Sequence, residues 1–125
     1  MKAPKTLTAI VVGVALLASV APASAKKPAA YKHYVACGLS QNAKPTHVCQ
    51  KPRDKGAFFR SNLADVFYKV CVHFPNGSNE CKGHQKALKG ILYVNEISSN
   101  IPGKHRVTWY VAGKPVGVTV FMVPN

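Results

Sequence analysis

Acidic residues are what this chain has least of. Four Asp or Glu residues stand against 17 Lys or Arg, for a formal net charge of +13. Asp54, Asp65, Glu80 and Glu96 fall in separate stretches, so no two carboxylates are placed to divide general-acid and general-base work. No Gly-x-Ser-x-Gly elbow and no glycine-rich phosphate loop occurs. The 5 histidines offer a Ser-His-Asp set on paper, but no spacing selects one. The chain therefore reads as a non-enzyme that needs no cofactor. Helical periodicity is missing as well: no stretch sustains an apolar repeat of 3.6 residues, which excludes a long helix and predicts an all-β fold. The close Cys-x-x-Cys type of pair used by structural zinc is also absent, which argues against a metal site.

Charge of either sign is absent between Thr6 and Ala25. Lys2 and Lys5 precede this stretch, Ile10 to Leu17 form its apolar centre, and Ala23-Ser24-Ala25 supplies small residues at its end. That is the pattern of a secretory signal peptide over residues 1–25, cleaved after Ala25. An uncleaved membrane anchor has enough length, but Pro22 and the alanine-rich end argue against it. A secreted chain over residues 26–125 follows, long enough for a single core and expected as one monomeric β-sandwich domain. Lys2 and Lys5 leave with the signal segment while all four acids stay, and the excess of positive charge persists. Its field draws in polyanions, with cell-wall polymer, anionic lipid or extracellular nucleic acid as candidate counter-surfaces, while a solvated basic surface with no dedicated partner is the simpler expectation.

β-branched and aromatic residues are concentrated in residues 104–123, which hold the only tryptophan, Trp109. Two apolar runs flank Ala112-Gly113-Lys114-Pro115, a tight reversal. A hairpin this apolar needs cover. Residues 66–74 alternate, with Val66, Tyr68, Val70, Val72 and Phe74 on one face and Phe67, Lys69, Cys71 and His73 on the other. This strand is expected in an opposing sheet, supplying that cover. The predicted core is Val70, Val72, Val107, Trp109, Val111 and Phe121. Further strands are expected over residues 31–37, around Thr46 to Cys49, over 56–60 and over 90–97, with 82–89 basic and unpatterned.

Cys37, Cys49, Cys71 and Cys81 are an even set in an exported chain, which favours disulfides and allows three pairings. Phe74-Pro75-Asn76-Gly77-Ser78 chooses among them. Proline presets φ for a type I turn and glycine takes the left-handed position after it, giving a three-residue hairpin loop with a bulge. Counting outwards, His73 faces Asn79, Val72 faces Glu80, and Cys71 faces Cys81. A two-residue Asn-Gly loop would set the cysteines out of register. Cys71–Cys81 is therefore predicted, and Cys37–Cys49 by elimination, each stabilising by roughly 2–3 kcal/mol. The register turns Glu80 towards the face of Val72, which places its strand at an edge. Asn76-Gly77-Ser78 also matches a glycosylation sequon, although the turn alone accounts for these residues.

Two basic clusters, Lys51, Arg53 and Lys55 and then Lys82, Lys86 and Lys89, are the candidate polyanion contacts. Tyr31, Tyr34, Phe58 and Phe59 would add stacking surface if exposed, but in a β domain they read as core.

Residues 102–117, from Pro102-Gly103 through Trp109-Tyr110-Val111 and Gly113-Lys114, with the closing Phe121-Met122-Val123, resemble the last two strands of bacterial immunoglobulin-like domains. The likeness covers residues 90–123. It implies an immunoglobulin-like antiparallel sandwich of about seven short strands; the chain departs from antibody-type domains in that its two expected disulfides are local rather than between the sheets, and in having His105 where a tyrosine corner would sit. The whole chain also resembles small exported actinobacterial proteins. The resulting expectation is a secreted, non-catalytic binding or structural module of the cell envelope. The alternative is a small cationic effector, either a hydrolase inhibitor or a membrane-active toxin, with residues 38–50 as its reactive loop.

Overall fold

The computed structural model describes residues 29–125; the expected signal peptide and its cleavage site lie outside them. Among the described residues seven strands form two antiparallel sheets: β1 (Tyr31–Ala36), β2 (Gly56–Ser61), β3 (Val66–His73), β4 (Asn79–Ala87), β5 (Leu92–Glu96), β6 (Gly103–Val111) and β7 (Lys114–Val123). One sheet has the order β1-β2-β5 and the other β4-β3-β6-β7.

The turns fix the registers. Phe74 and Ser78 close the β3–β4 loop through Phe74 N–H to Ser78 O at 2.9 Å, with Gly77 at φ 89°. Cys71 therefore stands across from Cys81, Val72 from Glu80 and His73 from Asn79. The reversal between β6 and β7 is tighter than the four residues expected: only Ala112 and Gly113 lie outside the strands, both with positive φ (52° and 78°). This is the primed geometry that matches the twist of a two-residue hairpin.

Both disulfides form, Cys37–Cys49 and Cys71–Cys81. The second is a rung across β3 and β4. The first is local in sequence, but it ties the end of β1 to a segment that reaches the other sheet. Thr46 N–H bonds to Val35 O in β1, then Met122 N–H bonds to His47 O and Cys49 N–H to Met122 O in β7. The strand expected around Thr46 to Cys49 is thus two isolated bridges, Ala36 to Pro45 and Val48 to Met122. The segment crosses from one sheet edge to the other and pairs only once with each. It acts as a strap that closes this side of the sandwich and occupies part of the otherwise unpaired β7 edge.

The cover for the β6–β7 hairpin differs from expectation. β3 pairs directly with β6, Val70 opposite Trp109 and Val72 opposite Val107, so it extends the same sheet. The cover comes from the three-stranded sheet, whose Val35, Ala57 and Phe59 are buried against Tyr68, Val70, Val72, Val107, Trp109, Phe121 and Val123. Alternation assigned the faces of β3, but it carries no information on which sheet the strand joins. Val111, expected in the core, is partly buried at its margin. β4 runs through residues 82–87, where no pattern was legible, because an edge strand is exposed along most of its length. Its interruption is a bulge opposite Lys69, marked by His84 at φ 53°.

Trp109 is fully buried, and the His33 ring lies 5.1 Å from it. Gly117 makes that approach feasible, since a Cβ there would overlap the imidazole. Among the described residues Trp109 Nε1 has no hydrogen-bond partner. Trp109→Ala is expected to lower stability by roughly 3–5 kcal/mol through the cavity it leaves. Trp109→Phe should cost clearly less, because it keeps most of the volume and removes an unpaired donor. Urea midpoints for both variants check this ordering, and equal losses would count against it.

Candidate functional site

The strand registers build one surface with a distinct chemistry, the outer face of the four-stranded sheet. β3 presents Phe67, Lys69, Cys71 and His73 there, and β6 presents Lys104, Arg106, Thr108 and Tyr110, the residues that alternate with the buried set. Cross-strand pairing sets Lys69 beside Tyr110, Cys71 beside Thr108 and His73 beside Arg106. On the flanks, Lys86 pairs with Phe67, while Val120 pairs with Arg106 and Met122 with Lys104. The Lys69 ammonium sits 4.8 Å from the Tyr110 ring centroid, a cation–π contact that holds the charge over the face. His73 Nδ1–H donates to Asn79 Oδ1 at 2.6 Å. Two shallow hollows lie here. One of about 210 Å³ is lined by Cys71, His73, Asn79, Arg106, Thr108 and Tyr110. The other, of about 250 Å³, includes Phe67, Lys69, His84 and Tyr110.

None of the four acids joins this face. Asp65 precedes β3 and accepts the Lys89 main-chain N–H at 2.8 Å. Glu80 pairs with the inward-facing Val72, Glu96 ends β5, and Asp54 lies in the loop before β2. The cations therefore act without carboxylates between them.

The basic clusters expected from the sequence are dispersed. Lys55 is corrected outright: it is buried, and its ammonium donates to Lys51 O at 3.1 Å, Arg53 O at 2.8 Å and Asn100 Oδ1 at 3.3 Å. Burial pushes its pKa down, and the Asp54 charge partly offsets this. A cation whose three protons meet three oxygens fastens two loops and is not free for a ligand. Lys51 and Arg53 line an adjacent hollow of about 340 Å³ that also contains Asp54 and Glu96. The Arg53 guanidinium is bonded to Cys37 O, and the Lys82 ammonium to Glu96 O. Lys89 lies at the β4–β5 turn, so of the six residues only Lys86 is on the acid-free face. Sequence reasoning missed Lys69, Lys104 and Arg106. Their signal lies in the alternation of β3 and β6, which sets them outward, and not in a run of adjacent basic residues. Among the four aromatics, Phe58 and Phe59 are buried, with Tyr34 and Tyr31 stacked on them at 4.8 and 5.7 Å.

One buried pair has catalytic appearance. His105 Nδ1–H donates to Gly103 O, so its bare Nε2 accepts the Ser99 hydroxyl at 2.7 Å. That is the pairing of an activated nucleophile. Here, however, a main-chain carbonyl stands where a carboxylate would orient the ring, and both residues are buried. Phe121 stacks on the imidazole at 4.6 Å and Phe74 meets it edge-on at 5.6 Å. Ser99 Oγ also accepts Ile101 N–H. The pair ties the loop before β6 to the core, the task that a tyrosine corner performs with its hydroxyl. No group of three or more His, Cys, Asp or Glu is placed to hold a metal ion among the described residues. Residues 38–50, the disulfide-held segment named as the reactive loop of the alternative reading, are exposed along most of their length and are held by the strap's bonds to both sheets and by Gln41 Nε2 to Leu92 O at 3.0 Å.

Among solved structures, an immunoglobulin-like protein from Pseudomonas aeruginosa is similar, with 13% identity and a TM-score of 0.51, over 78% of this chain and 93% of that one. At that identity the likeness shows the fold alone: this is an immunoglobulin-like sandwich. No protein-family model matches the chain, and no curated protein does.

Two predictions follow from the buried polar groups. Lys55→Met strands three oxygens and should lower stability by about 1–3 kcal/mol in urea unfolding; an unchanged midpoint would contradict the fastening role. Burial also pushes the pKa values of His33 and His105 down, with the Gly103 carbonyl partly opposing this at His105 and Lys55 reinforcing it. The unfolded chain then takes up protons below about pH 6.5 while the folded chain does not. Stability should hold above that pH and fall as the pH drops below it. The fall should be shallower in His105→Gln than in the parent, read as the slope of urea midpoint against pH.

Proposed function

We propose that this chain is a secreted, non-catalytic binding module of the cell envelope whose outer four-stranded sheet face contacts an anionic partner. The observation that carries the reading is the composition of that face: Lys69, Lys86, Lys104 and Arg106 stand on it, and no carboxylate does. Cations on a rigid sheet, unopposed by acids, bind a polyanion through release of its counterions and need no reorganisation to do so. The fold supports a binding rather than a catalytic role by analogy. Two disulfides and the secretory pattern of residues 1–25 support export, and no described helix is long and apolar enough to cross a membrane.

The test is retention on a polyanion matrix as salt is raised. The wild-type chain should elute earlier at higher ionic strength, and Lys69→Gln/Arg106→Gln should lower the slope of log affinity against log salt by roughly one per cation removed. Arg53→Gln/Lys82→Gln should change it little, since those side chains are already engaged within the fold. Retention independent of salt, or equal effects of the two double variants, would refute the assignment of this face.

A further inference from the structure

The basic face carries a second feature that a hydrophilic polyanion would leave unused. Along β7, exposed apolar residues alternate outward and stand across from polar or cationic residues of β6. Met122, 36% exposed, pairs with Lys104; Val120, 43% exposed, pairs with Arg106; and Val118, 53% exposed, pairs with Thr108. Val48, 51% exposed, extends the column through its bridge to Met122. Across the sheet Phe67, 61% exposed, stands between Lys86, its cross-strand partner, and Lys69, two positions along the same strand face.

Single exposed apolar residues need no explanation, but a column of them bordered by cations on an acid-free surface has a specific physical match. Polymer phosphates or carboxylates would satisfy Lys104 and Arg106 and leave Val118, Val120, Met122 and Val48 in water. An anionic bilayer surface satisfies both sets. Apolar side chains enter the boundary between headgroups and acyl chains, while ammonium and guanidinium groups meet the phosphates. Lys104 and Arg106 stand directly across from Met122 and Val120, and stems of that length can cover apolar surface while their charged ends reach the headgroups, as interfacial lysines and arginines do. The opposite side of the sheet is occupied by the core, so the contact is one-sided and lateral. The strap fixes Val48 beside Met122, and the Cys37–Cys49 bond fixes the strap, so the column is already formed before contact.

We propose that the outer face of the four-stranded sheet docks on a bilayer surface rich in anionic phospholipid, with Val118, Val120, Met122 and Val48 at the acyl boundary and Lys104, Arg106 and Lys69 on headgroup phosphates. This rests on the reading of that face as the anion-contacting surface, and goes beyond it by naming the partner as lipid.

The experiment pairs vesicle co-sedimentation with retention on an immobilised polyphosphate column, which offers anions without acyl chains. Vesicles of equal parts phosphatidylcholine and phosphatidylglycerol should bind the wild-type chain, and pure phosphatidylcholine vesicles should not. Val118→Thr/Val120→Thr keeps β-branched residues and every charge. It should weaken binding to the mixed vesicles about tenfold while leaving polyphosphate retention unchanged. Lys104→Gln/Arg106→Gln should weaken both, by roughly fivefold per cation on vesicles. Near-ultraviolet circular dichroism of buried Trp109 checks that each variant is folded. Polyphosphate retention without vesicle binding in the wild-type chain would overturn the lipid assignment and leave the anionic-partner reading standing. Equal vesicle binding by the threonine variant and the wild-type chain would also overturn it. Failure on both supports would remove the reading on which it rests.

Discussion

The register of β3 is the constraint on which most of the structure depends. This strand lies inside the four-stranded sheet, paired with β4 on one side and β6 on the other. Its side chains alternate strictly, so a slip of one residue would send Phe67, Lys69 and His73 into the core and expose Tyr68, Val70 and Val72. Three features oppose the slip. Gly77 takes a left-handed conformation that closes the β3–β4 loop at three residues. The Cys71–Cys81 bond locks the pair that this loop brings together. On the other side, Val70 and Val72 lie opposite Trp109 and Val107, so inward positions meet inward positions. The core and the acid-free outer face are two consequences of one alignment.

The other disulfide, Cys37–Cys49, acts on the edges. A sandwich leaves unpaired backbone at the ends of each sheet, which invites pairing with other chains. The strap at residues 45–49 takes up part of the β1 and β7 edges, and Cys37–Cys49 holds it in place. At the opposite side β4 stays exposed, protected by Lys82, Lys86 and a bulge at His84. Covering part of two edges with a disulfide-held strap and guarding β4 with charge suits a domain whose single core is modest in size.

Much of this was legible in the sequence. The turn at Pro75-Asn76-Gly77 fixes the hairpin register from local chemistry, and the register in turn selects the disulfides. The alternation of β3 and β6 separates inward from outward residues. The assignment of strands to sheets was not legible, because a strand of given alternation fits either layer. Alternation alone allows β3 to lie opposite β6, whereas the structure sets it beside β6. The dispersal of the basic clusters was illegible for a related reason: closeness in sequence near Lys51 and Lys82 does not reveal that Lys55, Arg53 and Lys82 spend their donors on main-chain carbonyls. The acid-free face is assembled from alternate residues of separate strands, and only the register brings them together.

The central claim is that an anionic partner meets the outer face of the four-stranded sheet and not the loops. Amide chemical-shift mapping during titration with a short soluble polyanion tests this most directly. The account predicts that the perturbed amides cluster on β3 and β6, at and around Lys69, His73, Lys104, Arg106 and Tyr110. Perturbations centred on residues 51–55 and 82–89, with β6 unmoved, would contradict it.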